Sequence, residues 1–335
     1  MLFDEAIMCR FFQRWERSRL LVSVARVYLV FVFILLTCER VFALEDFLMG
    51  ISTKHISIAY LYIGKERGIF AEEGIDLKLV LIPANVARTA LVARQLDGME
   101  FGATGITLRA NGAPVVKIFS QSQKPGWFLL ANPSITELKQ LAGKALTVGA
   151  LGSGSHVATV EILRKAGVSP DSVVFMGGIG GSDVRLQMLA SGTVQAANLV
   201  SPYNFIAEKM GFRNLLFYGD YFDMAQFGLV VYEPALETRK PFFKKVLRAF
   251  LRSHRYTLEH QEEALQWVLK NLKVEKGDAG KTVDVLLKTA APLGIATDAA
   301  IQNALDPSVK GGAAKKVNLV DYTLLREVHR DLGIR

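Results

Sequence analysis

The pattern that most constrains this chain is a succession of strands and helices that occurs twice. From residue 55 and again from residue 145, apolar strand-like runs alternate with helix-like segments in the order β-α-β-α-β. The two halves also share one feature at identical spacing, since Gly98 and Ala103 align with Gly192 and Ala197. Strands that alternate with helices favour a mostly parallel sheet covered by helices. The sequence therefore predicts an α/β protein with two such sheets.

Two apolar segments connect the halves and predict a hinge. The segment 115–133 leaves the first half, and 227–234 returns to it. We predict that lobe 1 comprises residues 44–131 and 228–335, including several C-terminal helices, and that lobe 2 comprises residues 132–227. Parallel sheets bind ligands beyond the carboxyl ends of their strands, so we expect a ligand in the cleft between the lobes, buried by hinge closure.

The first 43 residues differ from the rest of the chain. Basic residues precede an uninterrupted apolar run at 27–38, and these 12 residues are fewer than the roughly 20 that a membrane span requires. Val41 and Ala43 are small residues at the −3 and −1 positions of a secretory cleavage site. We predict that residues 1–43 form a signal peptide and that the protein is periplasmic. An uncleaved, membrane-anchored form is the alternative.

Cysteine and histidine usage disfavours most kinds of enzyme. Both cysteines, Cys9 and Cys38, fall in the leader, so the exported chain would have no disulfide, no thiolate nucleophile and no cysteine metal site. The five histidines show no metal-ligand spacing, and we expect His254 and His260 on the surface of a basic helix. No G-x-S-x-G nucleophile motif occurs. We therefore expect neither an enzyme nor a cofactor.

The positive charge of the chain is mostly dispersed. The formal net charge is +8, and removal of the six arginines and four acidic residues of the leader leaves +6. One dense basic patch lies at 239–255 on a predicted helix, and we interpret it as a solvated helix face. Nucleic-acid binding would require a basic stripe interleaved with exposed aromatic residues, so it is not expected. Contact with a partner protein or anionic lipid is the minor alternative.

The stretch GALGSGSHVATVEILRKAG, 149–167, predicts a ligand-binding turn. A short strand precedes it, and its glycines and serines lead directly into a helix whose first N–H groups and dipole favour an anion or polar group. It is not a P-loop, because within this stretch no lysine occurs before Lys165. It is not a dinucleotide fingerprint either, because Val157 stands in place of the last glycine. We therefore expect a small polar or anionic ligand here. Helix capping by Ser155, and packing of His156 beside the helix, are the alternatives.

Several segments resemble one family of transport proteins. They are AYLYIGKERGIFAEEGIDLKLV at 59–80, LVARQLDGMEFGATG at 91–105, the GSGSH helix start, and GLVVYEPALETRKPFFKKVLRAFLRS at 228–253. In order and spacing they resemble periplasmic solute-binding proteins of ABC importers, in the nitrate/sulfonate/taurine group that includes the thiamine-precursor binders. The resemblance covers nearly the whole exported chain. It implies a type II two-lobed binding fold, a monomer, and delivery of a small solute to an ABC permease, but it does not identify the solute.

The family pattern also implies where a ligand would be held, at four predicted strand ends and near the crossovers. The candidates are Tyr60, Tyr62, Thr104, Gly105, Thr107, Trp127, Ser153, Gly154, Ser155, His156, Ser201, Tyr203 and Gln226. Core packing of Tyr60 and hinge packing of Trp127 are the alternatives. None of these stretches contains Arg or Lys, so the sequence favours a small, partly aromatic or weakly charged ligand.

The sequence thus predicts the solute-binding component of an ABC importer, closing on a small organic or anionic solute. An exported enzyme of the same fold, and a ligand-binding partner of a membrane sensor, are the alternatives.

Overall fold

Two five-stranded sheets organise the protein in this computed structural model, which describes residues 43–178, 180–272, 274–305 and 318–334. The predicted signal peptide lies outside these residues, apart from Ala43. In chain order the strands are β1 Glu45–Ile51, β2 Ile75–Leu81, β3 Gly98–Met99, β4 Val115–Ser120, β5 Trp127–Ala131, β6 Ala145–Thr147, β7 Val174–Met176, β8 Ala196–Val200, β9 Arg213–Phe217 and β10 Gly228–Tyr232.

Both sheets follow the same plan. The strand order is β2-β1-β3-β10-β4 in the first sheet and β7-β6-β8-β5-β9 in the second. In each sheet the first three strands are parallel, and the fourth is antiparallel to both neighbours. The fourth strand is the one that arrives from the other half, β10 in the first sheet and β5 in the second. The predicted α/β architecture, with mostly parallel sheets and two crossovers, is confirmed.

The chain crosses between the sheets after β4 and again after β9. Strand β5, 127–131, pairs with β8 and β9 of the second sheet, although the predicted lobe boundary at 131 assigns it to lobe 1. The division at residues 131 and 227 stays a prediction.

Helices cover both sheets. They are α1 Ala59–Glu66, α2 Ile69–Glu72, α3 Ala84–Val92, α4 Gly102–Ala110, α5 Gly154–Lys165, α6 Ser182–Ala190, α7 Tyr203–Lys209, α8 Pro234–Thr238, α9 Lys240–Glu259, α10 Gln261–Leu272, α11 Lys276–Thr289, α12 Asp298–Asn303 and α13 Thr323–Asp331. None of the helices in the described part of the chain has the length and apolar character needed to cross a membrane.

Two predicted strand ends are helical instead. The run HISIAYLY forms a short 3₁₀ turn and the start of α1, and the first strand is β1, upstream of it. This run is mostly apolar because it is buried on two sides: Tyr60 and Leu61 belong to the main core, whereas Ala59 and Ile63 belong to a second apolar cluster with α10 and α11. Likewise, residues 104–107 lie inside α4. A short apolar run alone does not distinguish a buried helix from a buried strand.

The long helix α9 joins the main core to a charged surface. Its inner face contributes Phe242, Phe243 and Phe250, and the ring of Phe250 meets that of Phe47 edge-on at 6.0 Å. Contrary to expectation, His254 is also buried; its Nε2 lies 3.1 Å from the Ala291 carbonyl oxygen, and burial lowers its pKa to about 4.

The basic patch of α9 is matched by acidic side chains, each 3.5 Å or less from its partner. The pairs are Arg239–Asp97, Lys240–Glu327, Lys244–Asp331, Lys245–Glu45, Arg248–Glu73, Arg252–Glu72 and Arg255–Glu259. Most of these contacts tie α9 to β1, α2 and α13. The patch is therefore largely neutralised within the chain, which removes the reason to assign it an anionic partner.

Candidate functional site

A cavity lies where the two sheets face each other, at the carboxyl ends of strands from both. Its volume for the centres of water-sized molecules is about 70 Å³, room for roughly five waters or a small organic molecule. Its wall is formed by Ser52, Thr53, His55, Pro83, Ala84, Phe101, Ala103, Thr104, Trp127, Gly149, Ala150, Ser153, Gly154, Ser155, Gly178, Gly180, Ser182, Arg185, Val200, Gln226 and Phe227. This position matches the expectation that a ligand site lies beyond the carboxyl ends of parallel strands.

The loop between β6 and α5 contributes one wall, and its serines brace it. The Ser155 hydroxyl accepts a hydrogen bond from the Gly149 N–H at 2.9 Å, and the Ser153 hydroxyl accepts one from the Ala150 N–H at 3.2 Å. The two hydroxyls lie 3.1 Å apart. One of their two hydrogens joins the pair, so the other can be donated to a ligand. The two serine hydroxyls thus stabilise the loop, and one of their hydrogens remains available for a hydrogen bond to a ligand.

Helix α5 begins at this loop without a side-chain cap. Ser153 occupies the N-cap position, but its hydroxyl makes no capping bond. The first N–H groups of the helix, at Gly154 and Ser155, have no partner within the helix and face the cavity region. Three further helices, α3, α4 and α6, also begin at the cavity wall without side-chain caps. The starts of α3, α5 and α6 therefore contribute a positive electrostatic potential to the cavity, whereas the first N–H groups of α4 already donate to the Glu100 and Gln226 carbonyls.

Arg185 supplies a full positive charge to the same wall. Its guanidinium donates to the Asn198 carbonyl at 2.7 Å, to the Gly180 carbonyl at 3.0 Å and to the Ser182 hydroxyl at 2.8 Å. Burial lowers its pKa to about 10, an effect that the Asp183 charge partly offsets, so Arg185 stays protonated at neutral pH. Among the described residues no carboxylate lies within 4.0 Å of it. A buried charge without a counter-ion is costly, and a bound anion would neutralise it.

The first half contributes a buried histidine and a carboxylate behind it. Glu100 accepts hydrogen bonds from the Ser52 N–H at 2.5 Å and the Ser52 hydroxyl at 2.7 Å, and it lies 3.2 Å from His55 Nε2. The His55 ring packs on Phe227, with ring centroids 4.7 Å apart. Glu100 therefore fixes the end of β1 and the orientation of His55 at the cavity wall.

Aromatic side chains form the apolar part of the cavity. Phe101, Trp127 and Phe227 line it, and Trp127 meets the buried Tyr218 ring edge-on at 6.0 Å. Next to Phe227, Gln226 accepts a hydrogen bond from the Gly126 N–H at 2.5 Å. The cavity thus combines polar groups, mainly from the second half, with aromatic surface.

Six of the predicted site residues come together at this cavity. Thr104, Trp127, Ser153, Gly154, Ser155 and Gln226 all line it. They come from α4, β5, the start of α5 and the segment before β10, so elements far apart in sequence build one wall.

The other predicted residues lie elsewhere. Tyr60 is in the core between Phe119 and Phe250, with its ring 5.4 Å from that of His254. Tyr62 is next to Trp267, at 5.4 Å. Both belong to α1, whose side chains face the helical layer, so the core-packing alternative describes them.

Gly105, Thr107, Ser201, Tyr203 and His156 do not line the cavity either. A Cβ on Gly105 would lie 2.4 Å from Val230, and the Thr107 hydroxyl donates to the Ala304 carbonyl at 3.2 Å, so both serve the packing of α4. The Ser201 hydroxyl donates to Asn204 at 2.8 Å, whereas the Tyr203 hydroxyl lies 3.4 Å from that of the cavity residue Thr53.

His156 packs on the outer side of the loop. Its Nδ1 accepts a hydrogen bond from the Gly152 N–H at 3.1 Å, and its ring meets Phe175 at 4.8 Å. The packing alternative therefore describes this side chain.

Sequence reasoning missed Arg185, His55, Ser52, Thr53 and Phe227. The absence of Arg and Lys from the candidate stretches favoured a weakly charged ligand, but Arg185, which lies outside those stretches, is also in the cavity wall. A signal was available, since Arg185 lies in the first turn of a predicted helix that follows a glycine-rich loop, MGGIGG, after a strand.

Known proteins share this sequence and architecture. The family model described as NMT1/THI5 like matches residues 55–264. The putative binding protein YtlA of Bacillus subtilis (strain 168) is 26% identical over 210 residues, which are 61% of this chain and 62% of that protein. The match therefore spans less than two thirds of the length of this curated relative.

Two solved structures share the fold. The periplasmic nitrate-binding protein NrtA from Synechocystis PCC 6803 superposes with a TM-score of 0.69 at 14% identity, over 87% of this chain and 90% of that one. The alkanesulfonate-binding protein SsuA from Xanthomonas axonopodis pv. citri, bound to MOPS, gives 0.67 at 15% identity, over 84% and 97%. The predicted two-lobed periplasmic binding protein fold is confirmed. The family model covers well over half of the residues of this chain, so the chain belongs to the NMT1/THI5-like family.

Proposed function

We propose that this protein is the extracytoplasmic solute-binding component of an ABC importer, and that it captures a small organic anion between its two sheets. The observation that carries the proposal is Arg185, a buried and protonated side chain in the cavity wall without a carboxylate within 4.0 Å among the described residues. An anion bound beside it would gain charge-assisted hydrogen bonds worth about 1.5–3 kcal/mol each.

The helix termini support the same ligand charge. The starts of α5 and α6, which have no side-chain caps, lie on the Arg185 side of the cavity. An anion at such a terminus gains about 0.3–1 kcal/mol, and up to about 2 kcal/mol when partly buried. The NrtA and SsuA structures, named for nitrate and alkanesulfonate binding, are also of proteins that hold small anions.

The partner and the location follow from the proposed role. A cleft between two lobes closes on its ligand by hinge movement, and the closed form would deliver the solute to a membrane permease. Export through the leader at residues 1–43 would place the protein in the periplasm, either released or held by an uncleaved leader. A sensor protein in the membrane is the alternative partner, and the neighbouring genes discriminate the two, since an importer requires a permease and an ATPase.

One observation favours an exported enzyme as a second candidate. His55 and Glu100 form a buried pair at 3.2 Å beside the cavity, an arrangement that resembles a general base with its orienting carboxylate. However, no hydroxyl of the described residues hydrogen-bonds to the other ring nitrogen of His55, where a nucleophile would be expected. The described residues also contain no group of three or more His, Cys, Asp or Glu able to hold a metal. We therefore favour a receptor.

A thermal-shift screen with recovery of the ligand tests this proposal. The panel contains nitrate, small sulfonates, carboxylates, aromatic acids and neutral pyrimidines. Ligand at a hundred times its Kd adds about 2.7 kcal/mol to the free energy of unfolding, so a true ligand raises the melting temperature. We expect stabilisation by one class of organic anion and recovery of that anion unchanged. A stabilising compound that is consumed would establish the enzyme, and stabilisation only by uncharged compounds would refute the anion site.

A further inference from the structure

Gln226 leaves one polar atom of the cavity wall without a partner. The side chain is 2% exposed, and its carboxamide oxygen accepts a hydrogen bond from the Gly126 N–H. Since a backbone N–H requires an acceptor, this bond fixes which end of the amide is oxygen. The amide nitrogen, Nε2, then has no partner among the described residues. A buried donor in that condition costs roughly 1–3 kcal/mol.

His55 leaves a second polar atom at the same corner. Its Nε2 lies 3.2 Å from a Glu100 carboxylate oxygen, which can only accept, so the Nε2 position carries the hydrogen. In the neutral ring Nδ1 is therefore an acceptor, and it too has no partner among the described residues. The His55 ring packs on Phe227 with ring centroids 4.7 Å apart, and Gln226 is the residue before Phe227 in the chain.

These two atoms are complementary to one kind of ligand group. Gln226 Nε2 offers a hydrogen, whereas His55 Nδ1 requires one. A hydroxyl is the simplest group that accepts and donates at once. His55 follows β1 and Gln226 precedes β10, both strands of the first sheet, whereas Arg185 and the start of α5 belong to the helices of the second sheet.

We infer that the cavity has a second polar subsite at His55 and Gln226, and that its ligand is an organic anion carrying a hydroxyl, or an adjacent donor and acceptor, at the end away from its charge. The inference rests on the proposed anion-binding function. The anionic group would contact Arg185 and the α5 terminus, and the hydroxyl would contact His55 and Gln226. Such a ligand bridges the two halves, so its length and its hydroxyl both contribute to closure.

Calorimetric titration with matched ligand pairs tests the subsite. Ethane-, propane- and butanesulfonate are compared with the same sulfonates bearing a terminal hydroxyl, together with propionate and 3-hydroxypropionate. We expect the hydroxylated member to bind roughly tenfold tighter at the chain length that reaches the corner. Equal affinity within every pair would overturn the second subsite while the anion site stands. If no anion in the set binds, the proposed function and the inference are both overturned.

Variants assign the preference to the two side chains. Gln226→Glu keeps the acceptor for the Gly126 N–H but replaces the Nε2 donor, and the uncharged Gln226→Met removes both atoms. His55→Phe keeps a ring on Phe227 and removes Nδ1. Each should reduce the affinity ratio within the pair to roughly one, even if both absolute affinities fall.

Ser155→Ala is the matched control at the opposite wall. It should weaken both members of a pair equally and leave their ratio unchanged. Retention of the hydroxyl preference in the His55 and Gln226 variants would overturn the assignment, as would its loss in the Ser155 variant.

Discussion

Gly154 lies so close to Ala103 that a Cβ built on it would be 2.5 Å from the Cβ of Ala103 and 3.3 Å from the Trp127 ring. Gly154 is the first residue of α5, and Ala103 lies in the first turn of α4. The two halves of the cavity therefore meet at two helix N-termini, and the absence of a side chain at Gly154 allows this approach.

Gly154→Ala should weaken ligand binding by keeping the two helix starts apart. No flexible side chain can yield, because the neighbouring atom is the Cβ of Ala103, so the helices themselves must separate. We expect affinity to fall tenfold or more in a calorimetric titration. Gly280→Ala is the matched control, since a Cβ there meets nothing within 4 Å. It should leave affinity unchanged and add about 0.5–1 kcal/mol to stability. Equal affinities for the two variants would show that the approach of Gly154 to Ala103 is unimportant for binding.

Arg185→Met should remove most of the affinity for an anion. Loss of one charge-assisted hydrogen bond, worth about 1.5–3 kcal/mol, predicts a decrease of roughly 10- to 150-fold, and loss of two predicts a larger one. Arg185→Lys, which keeps the charge but lacks the planar fork, should lie between this variant and the wild type.

Arg109→Met provides the control for loss of a partly buried arginine elsewhere. Arg109 forms a two-pronged ion pair with Glu233, at 2.6 Å for each contact, and neither residue lines the cavity. This variant should lower the free energy of unfolding but not the affinity, as measured by urea denaturation and titration. An Arg185→Met protein that binds anions like the wild type would remove the main support for the proposed ligand charge.

Lys117→Met should stabilise the protein near neutral pH. The amine is fully buried, donates to the Ala225 carbonyl at 2.8 Å, and has a pKa lowered by burial from 10.5 to about 7. Between these two values the unfolded chain binds a proton that the folded chain does not, so stability falls as the pH falls from 10.5 to 7. The variant removes this penalty, with a gain of roughly 2–4 kcal/mol at pH 7.

The same substitution should be much less stabilising near pH 10, because the pKa of the unfolded lysine, 10.5, is then only half a unit above the pH and the remaining penalty is roughly 1 kcal/mol. Urea denaturation of both proteins at pH 7 and pH 10 makes the comparison. A variant that is equally destabilised at the two pH values would show that the hydrogen bond of Lys117 outweighs its burial.

Lys209→Met should weaken a contact between α7 and the start of α11. The Lys209 ammonium lies 2.7 Å from both Glu275 and Asp278, and these contacts lower the pKa of Asp278. Because Lys209 is half exposed, we expect only a small loss in the free energy of unfolding, and the loss should vanish in 1 M salt. A loss that persists in high salt would indicate that packing of the lysine stem matters more than its charge.

The fold could be predicted from the sequence because both patterns that indicate it involve residues close together in the chain. Alternation of strands and helices predicted both sheets, and the apolar strands at 115–133 and 227–234 predicted the crossovers. The run at 55–62 was misassigned because its helix is buried on two faces, so its periodicity is lost.

The site could be predicted only in part, because the tertiary fold brings the residues of its polar wall together from distant parts of the sequence. The GSGSH turn was visible as a helix start, and three other predicted residues, Thr104, Trp127 and Gln226, also line the cavity. By contrast, the sequence around Arg185 hardly distinguishes it from other arginines on helices. Its proposed role in anion binding depends on its burial without a counter-ion, which only the tertiary structure shows. Similarly, His55 gained significance only because Glu100, 45 residues away, holds its Nε2.

The most direct test of the account compares each stabilising anion with its uncharged isostere, such as ethanesulfonate with ethanesulfonamide or propionate with propionamide, by calorimetric titration. A cavity lined by Arg185 and by the starts of α3, α5 and α6 predicts that the anion binds at least about a hundredfold tighter than its isostere, and that Arg185→Met removes most of this difference. Equal affinity for the charged and uncharged members, or a difference unaffected by the loss of Arg185, would contradict it.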